Sequence, residues 1–158
     1  MNTRTLLALP WTALALLASP TSHAGERPDD RAIMATDPAE LKFQQDWGYA
    51  GARIAGDMVY LSGVVAGVRD GETDLRLGYT RAFERIGALL HEAGASWNDV
   101  VDITSFHTDL TTQMPAIVAV KNTYIKPPLL PAWTAIQVAR LIPTNGITEI
   151  KVVARLPK

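Results

Sequence analysis

Between Leu75 and Ala93 the chain carries one apolar stripe. Leu75, Tyr79, Ala82, Phe83, Ile86, Leu89, Leu90 and Ala93 recur at three- and four-residue spacing. That spacing predicts an amphipathic helix with a single face to bury. Thr73 or Asp74 can cap its start, and Gly94 suits its stop. Arg81, Glu84, Arg85, His91 and Glu92 fall off the stripe, so His91 reads as a solvated helix-end residue. A one-sided helix must lie on a sheet or another helix, and this constrains everything around it.

Elsewhere the period is two. From Gly25 to about Asp46 the chain is polar and irregular, apart from a short strand "RAIMAT" at 31–36. "AGARIAG" and "DMVYLSGVVAGV" read as two strands joined by a turn at Gly56-Asp57, and "RDGET" is a loop. "VVDITSFHTD", at 100–109, is a further strand. Thr111 or Thr112 can cap a second helix, "QMPAIVAVKNTYI", with Pro115 tolerated in its first turn. "KPPLLP" ends it, and "WTAIQVARL" and "ITEIKVVARL" follow as strands around a turn at 143–146. The order β-β-β-α-β-α-β-β predicts an α+β fold, a mixed sheet with two helices on one face.

Composition narrows the chemistry. At 158 residues the size suits one domain. The net charge is −1 and no Lys/Arg cluster appears, which disfavours nucleic acid as a partner. The chain has no cysteine, which excludes disulfides, thiolate metal sites and a cysteine nucleophile. Residues 1–24, "MNTRTLLALPWTALALLASPTSHA", follow the grammar of a secretory signal: Arg4, an apolar stretch, then Ser22-His23-Ala24. The stretch is too short, and broken by Pro10, to span a bilayer comfortably; a retained membrane anchor is the rival reading. The expectation is a single domain at 25–158, secreted or periplasmic, off the membrane once the signal is cleaved. Its histidines would be His91 and His107 alone, so no metal site is expected.

Four blocks then carry a resemblance: "GYAGARIAGDMVYLSG", "GYTRAFERIGALLHEAGASWNDVVDITSFHTDL", "PAWTAIQVARL" and "TEIKVVA". In order and spacing they resemble the RidA/YjgF family of reactive-intermediate deaminases across Tyr49 to Pro157. The resemblance implies a chorismate-mutase-like fold assembled as a homotrimer, its sheets closing a central barrel with three small-molecule clefts between subunits. It implies imine or enamine hydrolysis without metal or organic cofactor. An arginine would grip the carboxylate of a 2-imino acid, a glutamate would activate water, and a tyrosine and a Ser-Gly backbone would line the cleft.

On this chain the tyrosine matches Tyr49, the Ser-Gly matches Ser62-Gly63, and the glutamate matches Glu149. The arginine position holds Trp133, and the backbone contact two residues on falls on Ala135. The second helix carries Lys121 in place of an asparagine. An indole donates one hydrogen bond and cannot pair with a carboxylate. Trp133 therefore either lines the cleft for an apolar ligand or plugs it at a trimer interface. Glu149 is either the acid/base or half of an ion pair with Lys151 or Lys121. Lys121 either restores the lost positive charge or is solvated, and Tyr49 either lines the pocket or packs. His107 and Asp109 share a strand face, with solvent or an interface as the expected surroundings; no motif supplies Ser62 with a base. Non-catalytic ligand binding and a structural, chaperone-like trimer are the alternatives to catalysis.

Overall fold

A computed structural model describes residues 30–158, so the signal segment and residues 25–29 lie outside the described residues. The elements run β1 (Arg31–Ile33), α1 (Pro38–Trp47), β2 (Ala52–Ala55), β3 (Met58–Leu61), β4 (Val64–Gly67), α2 (Leu75–Ala93), β5 (Val100–His107), α3 (Leu110–Tyr124), β6 (Ala132–Gln137) and β7 (Gly146–Arg155). A 3-10 turn, Trp97–Asp99, leads into β5.

The sheet order is β1-β2-β3-β7-β5-β6, with β4 also paired to β7. The β5–β6 pair is parallel and bridged by α3, whereas the others are antiparallel. The expected α+β class with a mixed sheet holds, and two details change. The run 57–68 is two strands, because the chain breaks at Ser62-Gly63 and pairs with two different stretches of β7. Residues 38–47, expected to be irregular, form α1. Its local signals are strong: Asp37 accepts from the N–H groups of Ala39 and Glu40, Pro38 opens the helix, and left-handed Gly48 closes it.

The apolar stripe of α2 does what its spacing requires. Tyr79, Ala82, Phe83, Ile86, Leu89, Leu90 and Ala93 are buried on the sheet with Val59, Leu61, Ile103, Ile150 and Val152. Asp74 is the N-cap and Gly94 the left-handed C-cap. For α3 the cap is Asp109, which accepts from Thr111 and Thr112 N–H and from Thr112 Oγ1, not either threonine. Phe83 stacks on Trp97 and Tyr124 at centroid distances of 5.3 and 5.4 Å, and those two rings also meet at 5.4 Å, so the cluster ties α2 to α3 and to the turn before β5. Among the described residues no helix covers the opposite sheet face, which shows Tyr60, Val101 and Ile136 to solvent. Truncating Phe83 to alanine opens a cavity where three elements meet. It should cost roughly 3–5 kcal/mol and lower the calorimetric Tm by about 10–20 °C.

Candidate functional site

Two groups of residues form, one on each face of the sheet. The first gathers around the break between β3 and β4. Ser62 is held there by its N–H to Gly51 O (3.0 Å) and its Oγ to Ala50 O (2.6 Å). That hydroxyl is committed to a carbonyl and is not poised as a nucleophile. Glu149, paired with Val65 and Phe106 across β7, packs directly against Gly63. A Cβ at Gly63 would lie 1.9 Å from Glu149 Oε1, so only glycine leaves room for this carboxylate. Tyr49, Ser62, Gly63 and Glu149 line one cavity of about 400 Å3, with Phe43, Trp47, Val65, Ile142 and Pro143 completing its wall. Among the described residues Glu149 has no ion-pair partner, neither Lys151 nor Lys121. A smaller neighbouring hollow shares Tyr49, Ser62 and Gly63 and reaches the Glu40–Arg85 ion pair.

The second group lies on the helix side. In the parallel pair, Trp133 sits opposite Ile103 and Ala135 opposite Ser105, so both side chains face the helices. The Lys121 ammonium lies 5.1 Å from the Trp133 ring centroid, a cation–π distance. Its other contact is Asn122 Oδ1 at 2.9 Å, and partial burial lowers its pKa from the usual 10.5. Lys121 thus brings positive charge to the tryptophan, while Glu149 points to the other face of the sheet.

Behind Trp133 runs a buried polar chain. The indole Nε1–H donates to Ser105 Oγ (2.9 Å), and Ser105 Oγ meets His107 Nε2 at 2.9 Å. An indole only donates, so the serine proton is free to go to Nε2, and the histidine proton sits on Nδ1. Nδ1 faces Gln113 Oε1 (3.2 Å) and Thr148 Oγ1 (3.1 Å). Thr148 donates to Gln113 Oε1 (3.1 Å) and meets the Tyr79 hydroxyl at 2.7 Å. Ser105, His107, Thr148 and Tyr79 are fully buried, and every buried side-chain polar atom among the described residues has a partner. Burial lowers the His107 pKa below 6.5 and pushes the Tyr79 phenol up to about 12.

This geometry corrects the expected solvent or interface setting for His107 and Asp109: the histidine is a core residue and the aspartate a helix cap. Simple alternation from buried Ile103 would have pointed Ser105 and His107 inward. Phe43 and Trp47 reach the cavity on α1, whose signal in the sequence is Asp37-Pro38-Ala39-Glu40, an N-terminal pattern with Glu at the third helical position.

The Endoribonuclease L-PSP family pattern matches residues 41–156, which spans both groups. The chain belongs to this family, the RidA/YjgF group. RutC family protein YjgH of Escherichia coli K12 is 39% identical over 112 residues, covering 70% of this chain and 84% of that protein. A solved structure of protein YjgH superposes with a TM-score of 0.69 at 35% identity, covering 82% of this chain and 98% of the other. RidA from the Antarctic bacterium Psychrobacter sp. PAMC 21119 superposes at 0.61 with 29% identity, covering 82% and 97%. The chorismate-mutase-like expectation for the fold therefore holds in this L-PSP chain.

Two measurements test the site. Gly63→Ala should leave the fold intact, since its backbone is not left-handed, yet displace Glu149 and remove whatever binding or turnover depends on it. Calorimetry on the variant separates that outcome from unfolding. For His107 the folded pKa is depressed, so the unfolded chain takes up the proton first. Its stability contribution is therefore complete above pH 6.5 and is lost as pH falls below that value. The urea midpoint should drop between pH 7.5 and 5, and His107→Gln should flatten that decline.

Proposed function

We propose that this chain is an exported, cofactor-free hydrolase of small imines or enamines, acting in clefts between the copies of a homotrimer. One observation carries the reading. The family's cleft residues fall into two half-sites on opposite sheet faces: Tyr49, Ser62, Gly63 and Glu149 around one cavity, Trp133, Ala135 and Lys121 under the helices. Such halves complete one site only when two copies meet. The apolar side chains on the bare sheet face support the same assembly. The N-terminal signal grammar supports export.

In this reading Glu149 takes a proton from water as the water oxygen bonds to the imine carbon and the C=N electron pair moves to nitrogen. Returning that proton to nitrogen gives the carbinolamine, and transfer of its hydroxyl proton through Glu149 to the amino group lets the C–N bond break as C=O forms, releasing a carbonyl compound and ammonia. The imine is already electrophilic, so positioning and proton transfer are the main requirements. RNA cleavage is a poorer fit, because the chain carries no Lys/Arg cluster and His107 is buried in the core rather than open to a ligand. Replacing the carboxylate-gripping arginine by Trp133 removes roughly 2–5 kcal/mol of binding for 2-imino acids. Carboxylate-free imines are the better substrates.

A second reading, ligand binding without turnover, is favoured by the Trp133 indole, whose N–H is already spent on Ser105. An imine-hydrolysis assay with semicarbazide as trap decides between them. Amino-acid oxidase would supply 2-imino acids, and amine oxidase would supply carboxylate-free imines. The expected result is turnover of the second set, reduced about 100-fold or more in Glu149→Ala. Trp133→Arg should shift preference toward 2-imino acids. No acceleration of either set would leave the binding reading.

A further inference from the structure

The buried polar chain behind Trp133 can run in one direction only, because both sides of His107 fix their protons. On one side the indole N–H can only donate, and it donates to Ser105 Oγ (2.9 Å). On the other side Gln113 is oriented by its amide NH2, which donates to Thr108 Oγ1 (2.8 Å). That hydroxyl donates in turn to Ile147 O (3.0 Å). Gln113 therefore turns its carbonyl oxygen to His107 Nδ1 (3.2 Å), and Thr148 donates to the same oxygen (3.1 Å). A carbonyl only accepts, so Nδ1 carries the imidazole proton and Nε2 is left as an acceptor. Ser105, fully buried, makes two hydrogen bonds through Oγ. It accepts one from the indole and donates the other to Nε2 (2.9 Å).

The Nε2 lone pair is thus the acceptor that keeps the indole in place. A proton on Nε2 would face Ser105 with two donors and leave the serine's own proton buried without an acceptor. An unplaced buried donor is costly, so the serine would turn and the indole would lose its bond. No carboxylate stands by to offset that charge. Around His107, α2 offers the Tyr79 phenol, pushed up to about 12, while α3 offers Gln113 and β7 offers Thr148. On β6 the paired residue is Gln137, and Asp109 is turned to the N-terminus of α3. Lys121 lies against the indole, 5.1 Å from its centroid. We infer that His107 is a positioning residue for Trp133. Through Ser105, and without reaching a ligand itself, it holds the indole and with it the Lys121 ammonium that rests on the ring. These contacts lie within one copy and behind the ring, so they persist whatever meets its front in an assembly. The bearing on substrate rests on the proposed reading of the Trp133 group as one half of the cleft, whereas the positioning itself is read without substrate.

Nuclear magnetic resonance of the purified protein, labelled with 15N at tryptophan, tests this. The Trp133 indole N–H signal is assigned by its loss in Trp133→Phe, and the Trp97 signal is the control for an intact fold. Between pH 7.5 and 4.5 the Trp133 signal should follow one titration with its midpoint below 6.5, while Trp97 stays in place. His107→Gln keeps an oxygen for the serine proton but cannot titrate, so it should hold the Trp133 signal still across that range. Ser105→Ala and His107→Leu should release the indole at every pH. Exchange of its N–H at pH 7.5 should quicken about tenfold, as for loss of one hydrogen bond. A Trp133 signal that ignores pH, or moves only together with Trp97, would overturn the inference. So would a titration that survives in His107→Gln, or unchanged indole exchange in folded Ser105→Ala. If the last two variants unfold, the titrations of the unmodified protein and of His107→Gln still decide. A titrating indole without turnover of any imine would sink only the hydrolase reading, and turnover with an indole blind to pH would sink only the positioning role.

Discussion

Strand β7 pairs with three strands, β3 and β4 along one edge and β5 along the other, and the rest of the molecule depends on its two-residue alternation. Thr148, Ile150, Val152 and Ala154 face the helices and are fully or almost fully buried. Glu149, between two of them, faces the other way. A slip of one residue would bury the carboxylate and expose the threonine, so the register that builds the core also aims the candidate acid/base.

The same alternation separates the two groups of candidate residues. Trp133 and Ala135 follow Ile103 and Ser105 onto the helix side, where Lys121 covers the indole. Glu149 follows Phe106 onto the bare side, where the break at Ser62-Gly63 opens space beside it. The buried chain from Ser105 to Tyr79 orients the indole from behind. Each buried polar atom there is satisfied, and satisfaction in the core holds such a chain in one arrangement. Trp133, partly buried, is thus tied to the core through this chain.

Sequence reasoning reached most of this where a local rule had one answer. The α2 stripe could bury only one way, and the Asp and Gly at its ends gave its length. It stopped short where two local rules competed. The run 57–68 alternates without a break, so its division at Ser62-Gly63 was invisible until β7 offered two pairing stretches. Residues 38–47 are polar enough to resemble a loop, and their capping pattern outweighed that composition. His107 reads as a strand-end residue in the sequence because its partners, Gln113 and Thr148, lie on other elements.

The sequence by itself determined the α+β class, the family, the helix that organises the core and the residues Tyr49, Ser62, Gly63, Lys121, Trp133, Ala135 and Glu149. The class and the helix follow from periodicity and capping chemistry, and the site residues are candidates that the family resemblance implies; all of these are read from short stretches. Only the tertiary structure decided which of them share a face, that Gly63 is the space Glu149 needs, and that α1 sets aromatic rings beside that carboxylate. Strand pairing brings together residues far apart in the chain, and their distances are fixed by register and packing rather than by any neighbouring residue.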